Sequence, residues 1–339
     1  MPSVAIVGAT GAVGELLCRL LEERRFPVTT LKLLASPRSA GKRVTVAGRP
    51  LPVEPLHPEA FAGIKLVLSS TPASVSKEWS PIAARAGAVV VDNSSAWRMD
   101  PEVPLVVPEV NAAALASIPK GIVANPNCST IQMVVALKPL HDAARIKRVV
   151  VSTYQASSGK GAKGVYDLEQ QLAAQAAGRP MPPPTAHAGI LAGNVLTHDW
   201  KLGDEGYSEE EWKMIRETRK IMGDDAIQVA PTTVRVPVHT GHAEAVAVEF
   251  HRPLTVEAAR AALRQAPGVI LQDDYAAGAV PTPLAATGRD EVFVGRVRRD
   301  PSVPHGLLLW IVADNLRKGA ATNALQIAEE LLRQGRLAS

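Results

Sequence analysis

Val4-Ala5-Ile6-Val7-Gly8-Ala9-Thr10-Gly11-Ala12-Val13-Gly14 stands at the head of the chain, and its reading decides the fold class. Four consecutive apolar residues suit a strand buried on both faces. Val13, Leu16, Leu17, Leu20 and Leu21 then recur with the period of a helix. Between the two, glycines let the backbone turn tightly and let a pyrophosphate approach the helix N-terminus, whose dipole favours its charge. The spacing is GxxGxxG, a variant of the commoner GxGxxG, and a plain glycine turn is the alternative. The strand before and the helix after favour a dinucleotide site. Its candidate residues are Gly8, Thr10, Gly11, Ala12 and Val13.

Working outward, apolar strand-like runs at residues 4–8, 30–35, 66–70, 89–92, 105–107 and 122–124 alternate with helical stretches. Continuous apolar strands separated by helices predict a parallel sheet covered on both faces. At the end of the second run stands Ser36-Pro37-Arg38-Ser39-Ala40-Gly41-Lys42. A cofactor with a free ribose hydroxyl prefers an acidic residue there. Ser36, Arg38 and Ser39 suit a 2′-phosphate instead, which favours NADP(H) over NAD(H); a solvated surface loop is the competing reading.

Beyond residue 128 the pattern changes. Strands are expected at 149–154, 229–237, 245–250, 292–297 and 307–312, helices near 165–177 and 209–222, and a loop at the proline-rich 179–184. Residues 245–250 alternate as a half-buried antiparallel strand does. A last helix covers about residues 320–333. The fold expected is α/β: an N-terminal Rossmann-type parallel-sheet domain, residues 1–127, then a mixed α/β domain, residues 128–316.

Composition narrows the function classes. The chain has 339 residues, 46% of them hydrophobic and 21% charged, enough for a sizeable core and about two domains. Its longest apolar run, Leu307 to Ala313, is far too short for a membrane span, and with a strand-like run opening almost at once no secretory signal is expected. The formal charge of +4 is spread along the chain, which argues against nucleic acid as a partner. Two distant cysteines form no disulfide framework, so a cytoplasmic location is expected. His198 beside Asp199 lacks the further ligands that a metal site needs, and no metal is expected.

Asn125-Pro126-Asn127-Cys128-Ser129-Thr130 lies between an apolar strand and a helical run. A thiol at a helix N-terminus is biased toward thiolate, a competent nucleophile for a carbonyl; an inert buried cysteine is the alternative. Cys18, set among Leu16, Leu17, Leu20 and Leu21, reads as core.

At this point the residues become specific to a family. The chain resembles bacterial aspartate-semialdehyde dehydrogenases along almost its whole length: in Val4 to Gly14, Arg38 to Lys42, Asp92 to Met99, Asn125 to Asp142, Tyr154-Gln155-Ala156, Glu210 to Lys213, Arg235 to Val238, Gly241-His242 and Asp314 to Ala321. The resemblance implies that Cys128 is the nucleophile, Gln155 orients the acyl intermediate and His242 is the acid/base. It places Arg235 on the substrate carboxylate, Glu210 on the amino group and Arg98 with Lys213 on phosphate. It also implies that Ser158, Gly159 and Asn315 lie in segments that approach the nicotinamide.

The implied partners are aspartyl phosphate, aspartate semialdehyde and phosphate, and the implied assembly is a homodimer or dimer of dimers. The last segment, residues 317–339, is expected to complete the first domain. The chemistry suits these residue types, because a guanidinium fork matches a carboxylate, and histidine gains and loses protons near neutrality.

Two positions depart from the family pattern. Thr233 stands where cysteine is common, and Lys160, in Ser157 to Lys163, puts a cation into a stretch expected beside the nicotinamide. Alternative readings are an N-acetyl-γ-glutamyl-phosphate reductase, which typically has glycine where Asn127 stands, and a noncatalytic nucleotide-binding relative.

Overall fold

A computed structural model describes residues 1–337. The chain divides into two compact units, residues 1–127 together with the C-terminal segment from Ala320, and residues 128–319.

The first unit is built on a seven-stranded sheet of β1 (Val4–Val7), β2 (Leu31–Ala35), β3 (Arg43–Val46), β4 (Arg49–Pro55), β5 (Leu66–Ser69), β6 (Val89–Asp92) and β7 (Ile122–Ala124), in the order β3-β4-β2-β1-β5-β6-β7. Only the β3–β4 pair is antiparallel. Helix α1 (Ala12–Glu23) follows β1, and α2 (Ala73–Arg85) lies between β5 and β6. The C-terminal helix (Thr322–Arg333) buries Leu325, Ile327, Ala328 and Leu331, packing on α1 and on β5 and β6. Asn323 on this helix donates to Val106 O at 3.0 Å and Asn125 Oδ1 at 2.6 Å, and Asn125 in turn donates to Asn93 Oδ1 at 2.7 Å.

Two expectations are corrected here. Residues 105–107 form no strand but a single bridge, Leu105 to Ala124, because Pro104 and Pro108 remove backbone donors on either side. The β3–β4 hairpin has no counterpart among the expected strands. Prolines at 50, 52 and 55 hide it, yet Pro50 and Pro52 lie on the part of β4 that pairs with β3 alone. Its turn, Ala47-Gly48, has φ of 50° and 72°, the geometry of a tight two-residue hairpin.

The second unit holds a six-stranded mixed sheet of β8 (Ile146–Gln155), β9 (Gln228–Arg235), β10 (His242–Phe250), β11 (Val269–Leu271), β12 (Val292–Arg299) and β13 (Gly306–Ala313), ordered β11-β12-β13-β10-β8-β9. Its longer helices are α3 (Cys128–Ala144), α4 (Gly161–Ala176), α5 (Glu209–Met222) and α6 (Val256–Gln265). On β10, Val246, Val248 and Phe250 are buried while Ala245, Ala247 and Glu249 are half-buried; the opposite face is closed in part by Ala286, which packs with Ala243, Phe293 and Val312. β11 and α6 are absent from the expected elements: β11 is only three residues long, and α6 buries only Ala259 and Leu263.

Glycine spacing at the first turn has a steric reason. A Cβ on Gly14 would lie 2.2 Å from Gly8 O, whereas one on Gly11 would meet only the same oxygen at 3.4 Å. Gly14→Ala is therefore expected to destabilise the protein by about 1–3 kcal/mol as overpacking does, and Gly11→Ala by less. Urea unfolding of the two variants side by side checks this; equal midpoints would contradict it.

Candidate active site

Strand direction assembles one end of the second sheet. β8 and β9 run parallel, with their last residues Gln155 and Arg235 in register. β10 runs the opposite way, so its first residue, His242, lies at that same end. β13 is antiparallel to β10 and finishes there too, leading into Asp314 and Asn315. Two helices supply the rest. α3 is separated from β8 by Arg145 alone, and α5 from β9 by residues 223–227. Each helix must reverse into its strand, which brings its N-terminus to the strand's C-terminal end.

Arg235 is buried and tightly held. Its Nε donates to Asp199 Oδ2 at 2.8 Å, its Nη1 donates to Ala156 O at 2.7 Å, and its guanidinium stacks 4.6 Å from the Trp200 ring centre. Gly159 closes over it: a Cβ there would come within 2.7 Å of Arg235 Nη1 and 3.4 Å of His242 Cε1.

The start of α5 is fixed by a capping box, in which Ser208 Oγ accepts from Glu211 N–H at 3.2 Å and Glu211 accepts from Ser208 N–H at 2.7 Å. Glu211 also accepts from Thr233 N–H at 2.9 Å, and the Thr233 hydroxyl lies 3.2 Å from Ser208 Oγ. The departure at Thr233 thus joins the bracket that ties α5 to β9, two residues before Arg235. The first turn of α5 carries Glu210, which is buried and accepts from Gln155 Nε2 at 3.4 Å and from Lys213 Nζ at 3.1 Å. Glu210 and Lys213 are therefore more than a solvated helix pair.

His242 is wholly buried. Its Nδ1 accepts from Ala156 N–H at 3.0 Å, and an amide can only donate, so the proton of the neutral ring sits on Nε2. Nε2 has no hydrogen-bond partner among the described residues. Burial, with the Arg235 charge adding to it and Glu210 opposing, pushes the imidazole pKa down to about 3. The ring is neutral at physiological pH. His239, which sequence spacing alone does not separate from His242, is half-exposed and lies 4.0 Å from Glu169.

Cys128 is the first residue of α3 and is partly buried; the backbone at Gly319 packs so closely that a Cβ there would stand 2.8 Å from Cys128 Cβ. Cys18 is buried in α1, and burial pushes its thiol up to about 11, an inert state. Asn315 is held from two sides: its Oδ1 accepts from Gly241 N–H at 2.9 Å and its Nδ2 donates to Ser158 Oγ at 2.9 Å.

The first unit carries the other candidates. Thr10 Oγ1 donates to Ser39 Oγ at 3.2 Å, joining the glycine turn to the loop of Ser36 and Arg38, both exposed. No side chain caps the N-terminus of α1, which leaves the amides of its first turn available to a pyrophosphate. These residues fit a dinucleotide. Arg98 is buried and donates to Asn93 O at 2.9 Å, at the end of a turn organised by Asp92, whose carboxylate accepts from Ser76, Ser80 and Ser94.

Sequence reasoning missed His187, and weighed Asp199 only beside His198 as a metal pair. Both are buried, 3.1 Å apart between His187 Nδ1 and Asp199 Oδ2. Neither lies in a recognisable motif; His198, the neighbour that drew attention, is exposed. Among the described residues no group of three metal-ligating side chains occurs, and no helix is long and apolar enough to cross a membrane. Lys160 turns to Asp199, donating to its backbone O at 2.6 Å with Nζ 3.8 Å from Oδ1.

Comparison with known proteins agrees along the whole chain. Residues 3–118 match the semialdehyde dehydrogenase NAD-binding domain and residues 137–318 the semialdehyde dehydrogenase dimerisation domain. The aspartate-semialdehyde dehydrogenase of Aquifex aeolicus is 54% identical over 98% of both chains. The Vibrio cholerae aspartate semialdehyde dehydrogenase II complexed with ASA superposes with a TM-score of 0.95, at 47% identity over 98% of each chain. The Candida albicans enzyme with NADP gives 0.78, at 25% identity over 99% of each.

The buried imidazole has a consequence for stability. Below the ordinary histidine pKa of about 6.5 the unfolded chain binds a proton that the folded protein refuses down to about 3. His242 therefore costs stability as pH falls through that window, by roughly 1.4 kcal/mol per pH unit once well below 6.5. Denaturant unfolding at pH 7 and 5 is expected to show a larger loss for the native protein than for His242→Gln. Equal losses would contradict a neutral buried ring.

Proposed function

We propose a thioester mechanism for this chain, which belongs to the aspartate-semialdehyde dehydrogenase family. The reaction is the reversible reductive dephosphorylation of L-aspartyl-4-phosphate to L-aspartate-4-semialdehyde, in the branch of metabolism that leads to lysine, threonine, methionine and isoleucine. The observation that carries the mechanism is the gathering of Gln155, Glu210, Lys213, Arg235 and His242 at the sheet end toward which Cys128 opens its helix.

The Cys128 thiolate attacks the acyl phosphate, and phosphate leaves under the charges of Arg98 and Lys213. Arg235 clamps the α-carboxylate and Glu210 receives the ammonium group, while Gln155 orients the acyl group. NADPH, when bound by Gly8, Thr10, Gly11, Ala12, Val13, Ser36, Arg38, Ser39, Ser158, Gly159 and Asn315, supplies the hydride for the thioester carbonyl. The neutral His242 ring donates a hydrogen bond from Nε2–H to the oxygen that gains charge, and so stabilises the thiohemiacetal oxyanion that collapses to aldehyde and thiolate.

The exposed Arg38 and its neighbouring hydroxyls support NADP(H) over NAD(H). A reducing cytoplasm suits a free thiol nucleophile. The exposed Tyr154, its ring 5.5 Å from that of Trp310 on the same sheet face, supports a homodimer or dimer of dimers. The buried Glu210 suits a free amino group better than an acetylated one, which disfavours the N-acetyl-γ-glutamyl-phosphate reductase alternative.

Purified protein with L-aspartate semialdehyde is expected to reduce NADP in a phosphate-dependent reaction, more efficiently than NAD. Comparable or better use of NAD would remove the role of Arg38, and inactivity with both would overturn the assignment. Without phosphate, rapid mixing is expected to give a burst of NADPH stoichiometric with enzyme and then little turnover, as an acyl-enzyme accumulates. Cys128→Ala is expected to lose the burst and roughly a thousandfold or more of the turnover.

A further inference from the structure

Asp199 lies in the loop before α5, wholly buried, with cationic or donor groups on every side. Arg235 Nε donates to its Oδ2 at 2.8 Å, and His187 Nδ1 approaches the same oxygen at 3.1 Å. Its other oxygen accepts from Ala188 N–H at 2.9 Å and faces Lys160 Nζ at 3.8 Å. On its far side His187 Nε2 lies 2.7 Å from Ser157 Oγ, which itself donates to Gly164 O at 2.6 Å. The carboxylate is therefore anchored both to the turn after β8 and to its own loop.

The geometry of the fork shows what this anchoring does. An arginine presents five donors in one plane, and a carboxylate ligand is gripped well only if that plane is fixed. Here Asp199 takes Nε, Ala156 O takes one hydrogen of Nη1, and Trp200 lies against the flat face. Translation, rotation and tilt of the guanidinium are all constrained, and the remaining Nη hydrogens keep one direction. Burial alone works to raise the Asp199 carboxyl, but hydrogen bonds from His187 and Arg235 overcome it and hold the group far below the usual carboxylate range. Asp199 stays anionic throughout the pH range in which the protein works.

We infer that Asp199 is a positioning residue that sets the selectivity for an α-carboxylate by locking the Arg235 fork, with Lys160 offsetting its charge so that the pair keeps a surplus positive charge for an anionic ligand. This rests on the proposed role of Arg235. Lys160 thereby gains a place in substrate recognition, and a sequence departure expected beside the nicotinamide acts on the carboxylate side instead.

The test compares L-aspartate semialdehyde with 3-aminopropanal, the same aldehyde without its carboxylate, by steady-state kinetics with NADP and phosphate. The native protein is expected to prefer the former strongly, and Arg235→Ala to lose that preference. Asp199→Asn is expected to cut it by between roughly tenfold and a hundredfold, the cost of a misplaced group, chiefly through KM for the carboxylate-bearing aldehyde and with KM for NADP unchanged. Asp199→Glu is expected to recover part of it.

An Asp199→Asn protein that keeps the full preference, or that loses activity on both aldehydes alike, overturns the inference. If that variant does not fold, Lys160→Met reads the same carboxylate from its more accessible side. It is expected to lower the preference severalfold, and an unchanged preference overturns the inference. A native protein inactive on both aldehydes, or an Arg235→Ala protein that still discriminates, would instead count against the proposed function.

Discussion

A helix that feeds directly into a strand of the sheet it covers has to turn back on itself, and the second unit depends on that constraint twice. Only Arg145, with φ of 52°, separates α3 from β8, and a short segment separates α5 from β9. Both helix N-termini are thus returned to the end where β8 and β9 finish and β10 begins. Helix N-termini carry partial positive charge, so that end favours anions before any side chain is counted. Cys128 and Glu210 ride on those first turns, with Lys213 one turn on from Glu210, while Gln155, Arg235 and His242 ride on the strand ends.

Charge burial then sets the chemistry. Isolated buried ions are costly, and this site tolerates several because each is paired: Arg235 with Asp199, Glu210 with Lys213. The same crowding decides what His242 is. Wholly buried and facing the Arg235 charge, its imidazole stays neutral, and the Ala156 amide dictates which nitrogen bears the proton. A histidine with an ordinary pKa would be partly cationic near neutrality; this one enters the reaction neutral, with a hydrogen to donate.

The first unit obeys different rules. Its anion site is made of backbone, and its precision comes from glycine rather than from ion pairs. Gly14 exists because α1 passes within contact of Gly8 O, and Gly8 itself holds φ of 85°. The amide chain from Asn93 through Asn125 to Asn323 fastens the C-terminal helix to the segment that precedes Cys128, which is why this unit is built from both ends of the sequence.

Local sequence carried the glycine turn, the α1 period, the apolar parallel strands and the thiol at a helix start, because each is a pattern among neighbours along the chain. The Ser208-to-Glu211 cap had no part in the sequence reading, and the weight of Glu210 became clear only once α5 was docked. Prolines concealed the β3–β4 hairpin, since strand propensity is a poor guide where pairing is one-sided. The family pattern pointed to Arg235 and His242 but said nothing of what fixes them. Asp199, His187 and the turn of Lys160 toward them belong to segments far apart in sequence, and no spacing rule links them. The sequence by itself determined which groups are present and which elements bear them. Only the tertiary structure decided which are buried together, and burial is what turns an ordinary carboxylate into an anchor and an ordinary histidine into a neutral hydrogen-bond donor.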